Sequence, residues 1–105
     1  MSDIAKLNDN LRRTFTGGQV LLTAGIDSLP ADDKANILSM VRNFNDFNED
    51  NDVYGEHDFG SFNYKGNKIF WKIDYYDLNY KFMSENPADP NITRRILTIM
   101  LADEY

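Results

Sequence analysis

Apolar and polar residues alternate along one stretch of the chain, on both sides of a glycine-containing turn. The alternation covers Asp58 to Tyr64 and Lys68 to Tyr75. A period of two places successive side chains on opposite faces of a β-strand. The intervening Lys65-Gly66-Asn67 has residue types that adopt the positive φ angles of a tight hairpin. The sequence therefore predicts two adjacent antiparallel strands, and their shared apolar face contains Ile69, Trp71, Ile73 and Tyr75.

Two further strands are predicted from weaker patterns. The first is Gln19 to Thr23, a short apolar run between Gly18 and Gly25 that could also belong to a turn or a helix end. The second is Tyr80 to Met83, which follows the turn residues Asp77-Leu78-Asn79. Together with the hairpin, these strands would form a small antiparallel sheet of three or four strands.

Three stretches have the apolar spacing of a helix instead. The first begins after the capping residue Ser2 and stops at Gly17-Gly18, the second has Pro30 in its first turn, and the third begins at Asp89-Pro90. Their apolar positions are Ile4, Leu7, Leu11 and Phe15; Ile37, Leu38, Val41 and Phe44; and Ile92, Ile96, Leu97, Ile99, Met100 and Leu101. The pattern predicts a single α+β domain over residues 1–105, with about three helices packed on one face of the sheet.

The composition excludes several classes of protein. The chain has 105 residues, 42% of them hydrophobic, and no Cys, which excludes thiolate catalysis, disulfides and zinc held by cysteine. A net charge of −6 does not attract phosphate, so we expect no direct binding to nucleic acid. There is no basic leader before an apolar run, and no stretch approaches the roughly 20 apolar residues that span a bilayer. We therefore expect a cytoplasmic protein that does not contact a membrane.

The negative charge is concentrated in one segment. Between Arg42 and Lys65 there is no Lys or Arg, and this segment contains the only histidine, His57. Its six acids are Asp46, Glu49, Asp50, Asp52, Glu56 and Asp58. The chain has 17 acids in total, so 11 remain elsewhere against 11 Lys and Arg residues. Because the rest of the chain is neutral, this local anionic edge indicates a binding site.

Three interpretations of the acidic segment are open. Carboxylates with one imidazole could hold Ca²⁺, Mg²⁺ or a transition metal, but a calcium loop starting at Asp50 would have Tyr54 and Ser61 where oxygen ligands are needed. His57 with a neighbouring carboxylate could act as a general acid or base, although no motif marks a nucleophile. The segment could also be a solvated loop whose Asn and Asp side chains cap backbone amides. The sequence therefore assigns no catalytic residue, metal ligand or cofactor.

Aromatic residues at the end of the hairpin are further candidates. Trp71 is in phase with the apolar positions and is predicted to lie in the core, whereas Tyr75 and Tyr76 near the strand end could contact a partner. Asp74 and Asp77 extend the anionic character. The predicted partner-binding residues are Asp46, Glu49, Asp50, Asp52, Tyr54, Glu56, His57, Asp58, Asp74, Tyr75, Tyr76 and Asp77.

Two pairs of arginines, Arg12-Arg13 and Arg94-Arg95, are predicted to lie on helices. They could contact phosphate or the acidic segment of a second copy, but charges on a helix usually form its solvated face. Gly17-Gly18 lacks the Lys and the Ser or Thr of a phosphate loop, so the sequence indicates a helix stop there.

Four runs of the chain are long or distinctive enough to compare with a family. They are Arg12-Arg13-Thr14-Phe15 with Gly17-Gly18, Glu49 to Gly60, Phe70 to Asp77, and Pro87 to Ala102. These runs resemble the bacterial domain of unknown function 3768, and the resemblance spans nearly the whole chain. The resemblance implies a short, stand-alone protein of proteobacterial genomes and mobile elements, with no assigned activity or catalytic residues. At position 53 this chain has Val where the family often has Pro, and we expect this difference to loosen the turn.

These features lead us to expect a small, non-enzymatic interaction protein. Its anionic, tyrosine-rimmed patch would occupy the basic nucleic-acid groove of a partner protein, as in inhibitors of the anti-CRISPR or anti-restriction type. One alternative is a metal-dependent or acid/base enzyme that uses the carboxylates and His57 of residues 49–58. Another is a homodimeric accessory protein.

Overall fold

The computed structural model describes residues 2–105. Over these residues the chain forms three α-helices, four strands and a final 3-10 turn. In chain order they are α1 (Asp3–Thr14), β1 (Gln19–Leu22), α2 (Ala24–Asp27), α3 (Ala31–Arg42), β2 (Phe59–Tyr64), β3 (Asn67–Tyr76), β4 (Arg94–Leu101) and the turn Ala102–Glu104. None of the helices in residues 2–105 has the length and apolar character needed to cross a membrane.

The four strands form one mixed sheet in the order β1-β4-β3-β2. β2 is antiparallel to β3, β3 is antiparallel to β4, and β1 runs parallel to β4. On the central strand β4, Ile99 lies beside Leu22 of β1 and Trp71 of β3. The α+β fold class is confirmed, and so is the predicted antiparallel pairing of β2 with β3. The antiparallel pairing of β3 with β4 was not predicted, because the sequence analysis assigned this stretch to a helix. The pairing of β1 is parallel because the chain reaches β4 through a long crossover that contains α2, α3 and the hairpin.

One face of the sheet is buried beneath the helices. Its core cluster consists of Leu11, Ile26, Ile37, Val41, Ile69, Trp71, Ile73, Tyr75, Leu97 and Ile99. The β3 members are the four alternating residues that the sequence predicted, so their shared buried face is confirmed. On the opposite face, Lys72, Asp74 and Tyr76 of β3 are only partly buried.

The hairpin between β2 and β3 has the predicted turn. Lys65 and Gly66 have φ angles of 48° and 83°, as a two-residue turn with both central residues in the left-handed region requires. On β2, Gly60 lies opposite Trp71. A Cβ atom at this position would lie 2.4 Å from Trp71 Nε1, so only glycine lets the indole pack against this strand.

The first two predicted helices are confirmed as α1 and α3. Ser2 caps α1, because its Oγ accepts a hydrogen bond from the Ala5 N–H at 3.0 Å. The helix ends at Phe15, which has φ 56° and donates its N–H to Leu11 O at 2.8 Å. Pro30 precedes α3 and, at the N-cap position, fixes the direction of the chain into the helix.

The predicted third helix is wrong, since its apolar part, Arg94–Leu101, is strand β4. This stretch has many apolar residues because β4 is an interior strand of the sheet, with apolar side chains on both of its faces. Leu97 and Ile99 are fully buried beneath the helices, and Met100 on the opposite face is 2% exposed. A continuous apolar run is compatible with a buried strand or a helix, and the β-branched residues here favour the strand.

The strand predicted for Tyr80 to Met83 is also wrong. This segment bends after the turn at Leu78-Asn79, and Asp77 Oδ1 accepts a hydrogen bond from the Lys81 N–H at 3.0 Å. Met83 forms only an isolated bridge with Tyr76. The short strand predicted from Gln19 is confirmed as β1.

Candidate functional site

One stripe of α1 is polar and buried. Asn8 and Arg12 have no exposed surface and Asp9 is 5% exposed, although all three have polar side chains. Arg12 follows Asp9 by three residues and Asn8 by four, so the three side chains share the side of α1 that also buries Ala5. Because a buried polar group without a hydrogen bond costs free energy, the partners of these side chains show what the stripe holds in place.

Arg12 connects α1 to the end of α3. Its Nη2 donates to Asp9 Oδ1 at 2.9 Å, and its Nη1 donates to the carbonyl oxygens of Val41 and Arg42 at 3.1 and 3.2 Å. The guanidinium carbon lies 5.3 Å from the ring centre of Trp71. Burial lowers the pKa of Arg12, while the hydrogen bond and charge of Asp9 raise it. A guanidinium stays protonated in proteins, so Arg12 and Asp9 form a buried ion pair.

His57 attaches the acidic segment to the same carboxylate. Its Nδ1 lies 3.0 and 3.1 Å from the two oxygens of Asp9, and its Nε2 lies 3.5 Å from Asp52 Oδ2. The backbone N–H of His57 donates to Asp52 Oδ1 at 3.1 Å. The imidazole is stacked on Phe47, with 4.0 Å between ring centres. Both ring nitrogens therefore face carboxylates. Because Phe47 and His57 lie near opposite ends of the acidic segment, their stacked rings also hold these two ends together. We call Asp52, Glu56 and His57 the loop base.

A second buried network joins α1 to β3 and β4. Asn8 Nδ2 donates to Tyr75 Oη at 2.7 Å and to Glu56 O at 3.0 Å. Tyr75 Oη in turn donates to Glu56 Oε1 at 3.1 Å, and Arg95 Nε donates to Asn8 Oδ1 at 2.9 Å. Burial raises the pKa of the Tyr75 hydroxyl far above its usual value, so the group is a neutral donor at physiological pH.

The tip of the acidic segment points outward. We call Asp46, Glu49, Asp50, Val53 and Tyr54 the loop tip, and all five residues are exposed. Val53 is 72% and Tyr54 84% exposed. None of the three carboxylates forms an ion pair within residues 2–105. The loop tip therefore presents three uncompensated negative charges beside two apolar side chains.

Asparagine side chains fix the backbone of the loop tip. Asn48 Oδ1 accepts hydrogen bonds from the N–H groups of Asp50 and Asn51 at 2.8 and 3.0 Å. Asn51 Oδ1 accepts from the Asn48 N–H at 2.8 Å, and Asn51 Nδ2 donates to Asp46 O at 2.6 Å. These hydrogen bonds match the solvated-loop interpretation of the segment, in which Asn side chains hold the turn.

The structure divides the predicted partner-binding residues into three groups. The exposed group in the loop tip consists of Asp46, Glu49, Asp50 and Tyr54. The partly or fully buried group consists of Asp52, Glu56, His57, Asp58 and Tyr75. The remaining group, on the far end of β3 and the turn after it, consists of Asp74, Tyr76 and Asp77. Burial, with the nearby charge of Glu56, raises the pKa of Asp58, whereas Asp74 pairs with Lys72 at 2.8 Å.

Both arginine pairs are divided between surface and interior. Arg13 and Arg94 are exposed, but Arg12 is fully buried and Arg95 is 3% exposed. The expectation of a solvated face is therefore wrong for one member of each pair, and the second pair begins strand β4 instead of lying on a helix. The buried network also includes Asn8 and Asp9, which sequence reasoning did not select. Their signal is helical spacing, since Asn8 and Arg12 are four residues apart and border the apolar stripe.

A shallow depression lies beside the loop base. It has a volume of 480 Å³ and is lined by Phe47, Asp52, Val53, Tyr54 and His57, among others. Carboxylate oxygens beside aromatic rings suit a cationic side chain such as arginine. Within residues 2–105, no three His, Asp or Glu side chains are grouped so that they could hold a metal ion.

Comparison with known protein families identifies the family to which the chain belongs. The family described as a protein of unknown function (DUF3768) matches residues 22–104. The matched region contains the loop tip, the loop base and β4, and α1 precedes it. Neither a curated protein nor a solved structure matches the chain. Because the match covers most of the chain, the protein belongs to the DUF3768 family.

Proposed function

We propose that this protein is a small, non-enzymatic inhibitor whose loop tip binds the basic nucleic-acid groove of a partner protein. The observation that carries the proposal is the outward orientation of the loop tip, where Asp46, Glu49 and Asp50 are exposed and have no cationic partner within residues 2–105. Three carboxylates in five positions can occupy sites that phosphates of a nucleic acid would otherwise fill. By blocking this groove, the protein would act as an inhibitor of the anti-CRISPR or anti-restriction type.

The charge distribution supports association with a basic surface. The chain has a net charge of −6, and residues 43–64 contain no Lys or Arg. Attraction between complementary surfaces raises the association rate constant and makes it sensitive to salt. Blockade at a single contact region fits this charge better than mimicry of DNA over the whole surface.

The two apolar side chains of the loop tip supply contact area. Tyr54 is 84% exposed and Val53 is 72% exposed, beside the acidic residues. A tyrosine offers a large, rigid surface with a polar end, which makes it a frequent contributor to binding energy. An arginine of a nucleic-acid groove could stack on this ring and pair with Glu49, which lines the same depression.

The loop base supports the proposal because it fixes the loop before binding. His57 is held between Asp9 and Asp52, and its ring is stacked on Phe47. A loop that is ordered in the free protein loses less conformational entropy when it binds. The buried residues of the segment thus position the exposed ones.

A second candidate function is acid/base catalysis by His57. The close approach of Nδ1 to Asp9 favours it, since a carboxylate orients the catalytic imidazole in many enzymes. However, Nε2 faces Asp52 at 3.5 Å, so neither nitrogen points freely toward a substrate. The geometry therefore supports the role of His57 in the loop base better than a role in proton transfer.

The test compares two charge variants that each lose three negative charges. The first combines Asp46→Asn, Glu49→Gln and Asp50→Asn in the loop tip. The second is a control that combines Asp32→Asn, Glu85→Gln and Asp103→Asn, which are exposed positions elsewhere. Each tagged protein captures partners from a bacterial lysate, and the captured protein is then purified for binding measurements with and without competing DNA or RNA.

We expect the wild type and the control to bind a nucleic-acid-binding protein that competing nucleic acid displaces. The loop-tip variant should lose about tenfold or more in affinity, chiefly in association rate, because its charges are absent. Equal binding by the two variants would contradict the proposal, as would a partner that nucleic acid does not displace.

A further inference from the structure

Strand β2 lies at one edge of the sheet and, within residues 2–105, pairs only with β3. Its six residues, Phe59–Tyr64, include no charged residue and no proline, and its register with β3 is continuous. Soluble proteins usually protect edge strands with lysine, proline, a bulge or a short length, because free backbone groups can pair with another chain. The other edge strand, β1, has only four residues. β2 is longer and has none of these protective features.

The outer edge of β2 has backbone groups that are free to pair. The N–H of Ile73 donates to Asp58 O at 2.8 Å, so these two residues form a hydrogen-bonded pair of the ladder. Such pairs alternate along an antiparallel ladder, and Phe59, Ser61 and Asn63 therefore direct their N–H and C=O groups away from β3. None of these groups makes a hydrogen bond to the backbone of another element in residues 2–105. A row of free donors and acceptors of this kind can accept one more strand.

We propose that two copies of the chain form a dimer in which their β2 strands pair antiparallel about a two-fold axis at Ser61. In this register Ser61 lies opposite Ser61 of the second copy, and Phe59 lies opposite Asn63 of the second copy. Each such pair exchanges two backbone hydrogen bonds, and the two four-stranded sheets become one continuous sheet. The same patch is used on both copies, as a two-fold interface requires.

The charges at the two ends of β2 favour a second copy as the occupant of this edge. Antiparallel pairing places Asp58 of one copy opposite Tyr64 of the other, beside Lys65. Asp58 forms no ion pair within residues 2–105, and burial with the charge of Glu56 raises its pKa. Lys65 is largely exposed and pairs with Asp33 at 2.9 Å on the surface, so its ammonium group can reach a second carboxylate. The two-fold axis repeats this attraction at both ends of the interface.

Sedimentation equilibrium over a range of protein concentrations measures the dissociation constant of the dimer. Ser61→Lys places two lysines opposite each other at the two-fold axis, and their repulsion should weaken the dimer about tenfold or more. Gln19→Lys is the matched control, because it adds the same charge at an exposed position of β1. The control should stay within about twofold of the wild type, since its charge is remote and screened. A monomeric wild type, or equal weakening by both variants, would overturn the proposal.

Ser61→Cys tests the register without a change of charge. The chain has no Cys, so a disulfide in this variant can only join two copies. Cα atoms of a hydrogen-bonded pair are about 5.5 Å apart, within the range of a disulfide. In Asn63→Cys, the control on the same strand, the two positions would be four residues out of register, about 13 Å apart.

Mild oxidation followed by a non-reducing gel compares the two cysteine variants. We expect a covalent dimer from Ser61→Cys and about tenfold less from Asn63→Cys, because the second pair of thiols is too distant to react. Equal cross-linking of the two variants, or none in either, would overturn the proposal. The loop tip lies outside β2, so capture of the nucleic-acid-binding partner by Ser61→Lys tests the inhibitor function separately from the dimer.

Discussion

Arg12 and Arg95 are both buried guanidinium groups, but their surroundings differ in charge. Arg12, at the junction of α1 and α3, lies 2.9 Å from a carboxylate oxygen of Asp9. Arg95, at the start of β4, donates to the amide oxygen of Asn8 and to a backbone carbonyl. Arg12 therefore contacts a counter-ion, whereas Arg95 contacts neutral acceptors only. Burial lowers the pKa of Arg95, and the nearby charge of Glu56 opposes this effect without direct contact.

The difference originates in two consecutive residues of α1. Asp9 and Asn8 have side chains of nearly the same shape, and each accepts a hydrogen bond from one of the two arginines. Only Asp9 carries a charge, and it also contacts His57 of the loop base. Both arginines are therefore structural connections, but only Arg12 makes its connection through a charged partner.

The largest expected effect is that of Arg12→Met. Loss of this guanidinium leaves the buried carboxylate of Asp9 without its cation, and loss of one partner of a buried pair costs about 3–5 kcal/mol. Urea unfolding at neutral pH measures the change in the free energy of unfolding. Arg95→Met is the comparison, because it strands neutral acceptors only and should cost about 1–3 kcal/mol. An equal or larger loss for Arg95→Met would remove the distinction between the two regions.

Asp9→Asn gives Arg12 the same kind of neutral partner that Arg95 has. We expect a loss of about 2 kcal/mol, since a charged hydrogen bond contributes more than a neutral one. The loop base should also loosen, because His57 loses its closest carboxylate. Urea unfolding and amide hydrogen exchange at residues 52–57 measure the two effects. Unchanged exchange at these amides would show that the stack on Phe47, and not Asp9, holds the loop.

The elements that the sequence predicted correctly depend on local interactions. α1, α3 and the β2–β3 hairpin follow from apolar spacing, helix caps and two positive-φ turn residues, all within short segments. β4 could not be recognised in this way. Its two apolar faces result from its position between β1 and β3, and that position depends on contacts with residues far away in the chain.

The candidate sites show the same limit. The acidity of the loop tip is a property of composition, so the sequence contains it directly. The contact of His57 with Asp9 joins residues 48 apart, and that of Arg95 with Asn8 joins residues 87 apart. Both require α1 to pack against the sheet in one register. Until that packing is known, a buried arginine in a dibasic pair is indistinguishable from an exposed one.

The smallest expected effect on stability comes from Gln19→Glu, which adds an acid at a position that lines a surface cavity together with the exposed Arg94. Because position 19 is exposed, a new ion pair there should add only about 0.5 kcal/mol to the free energy of unfolding. Urea unfolding at neutral pH measures the change. Gln19→Ala is the control, as it removes the amide without adding charge. Equal free energies of unfolding for the two variants would contradict this gain. A gain as large as the loss in Asp9→Asn would show that an exposed pair contributes as much as the buried pair of Arg12 with Asp9, because burial would then not distinguish them.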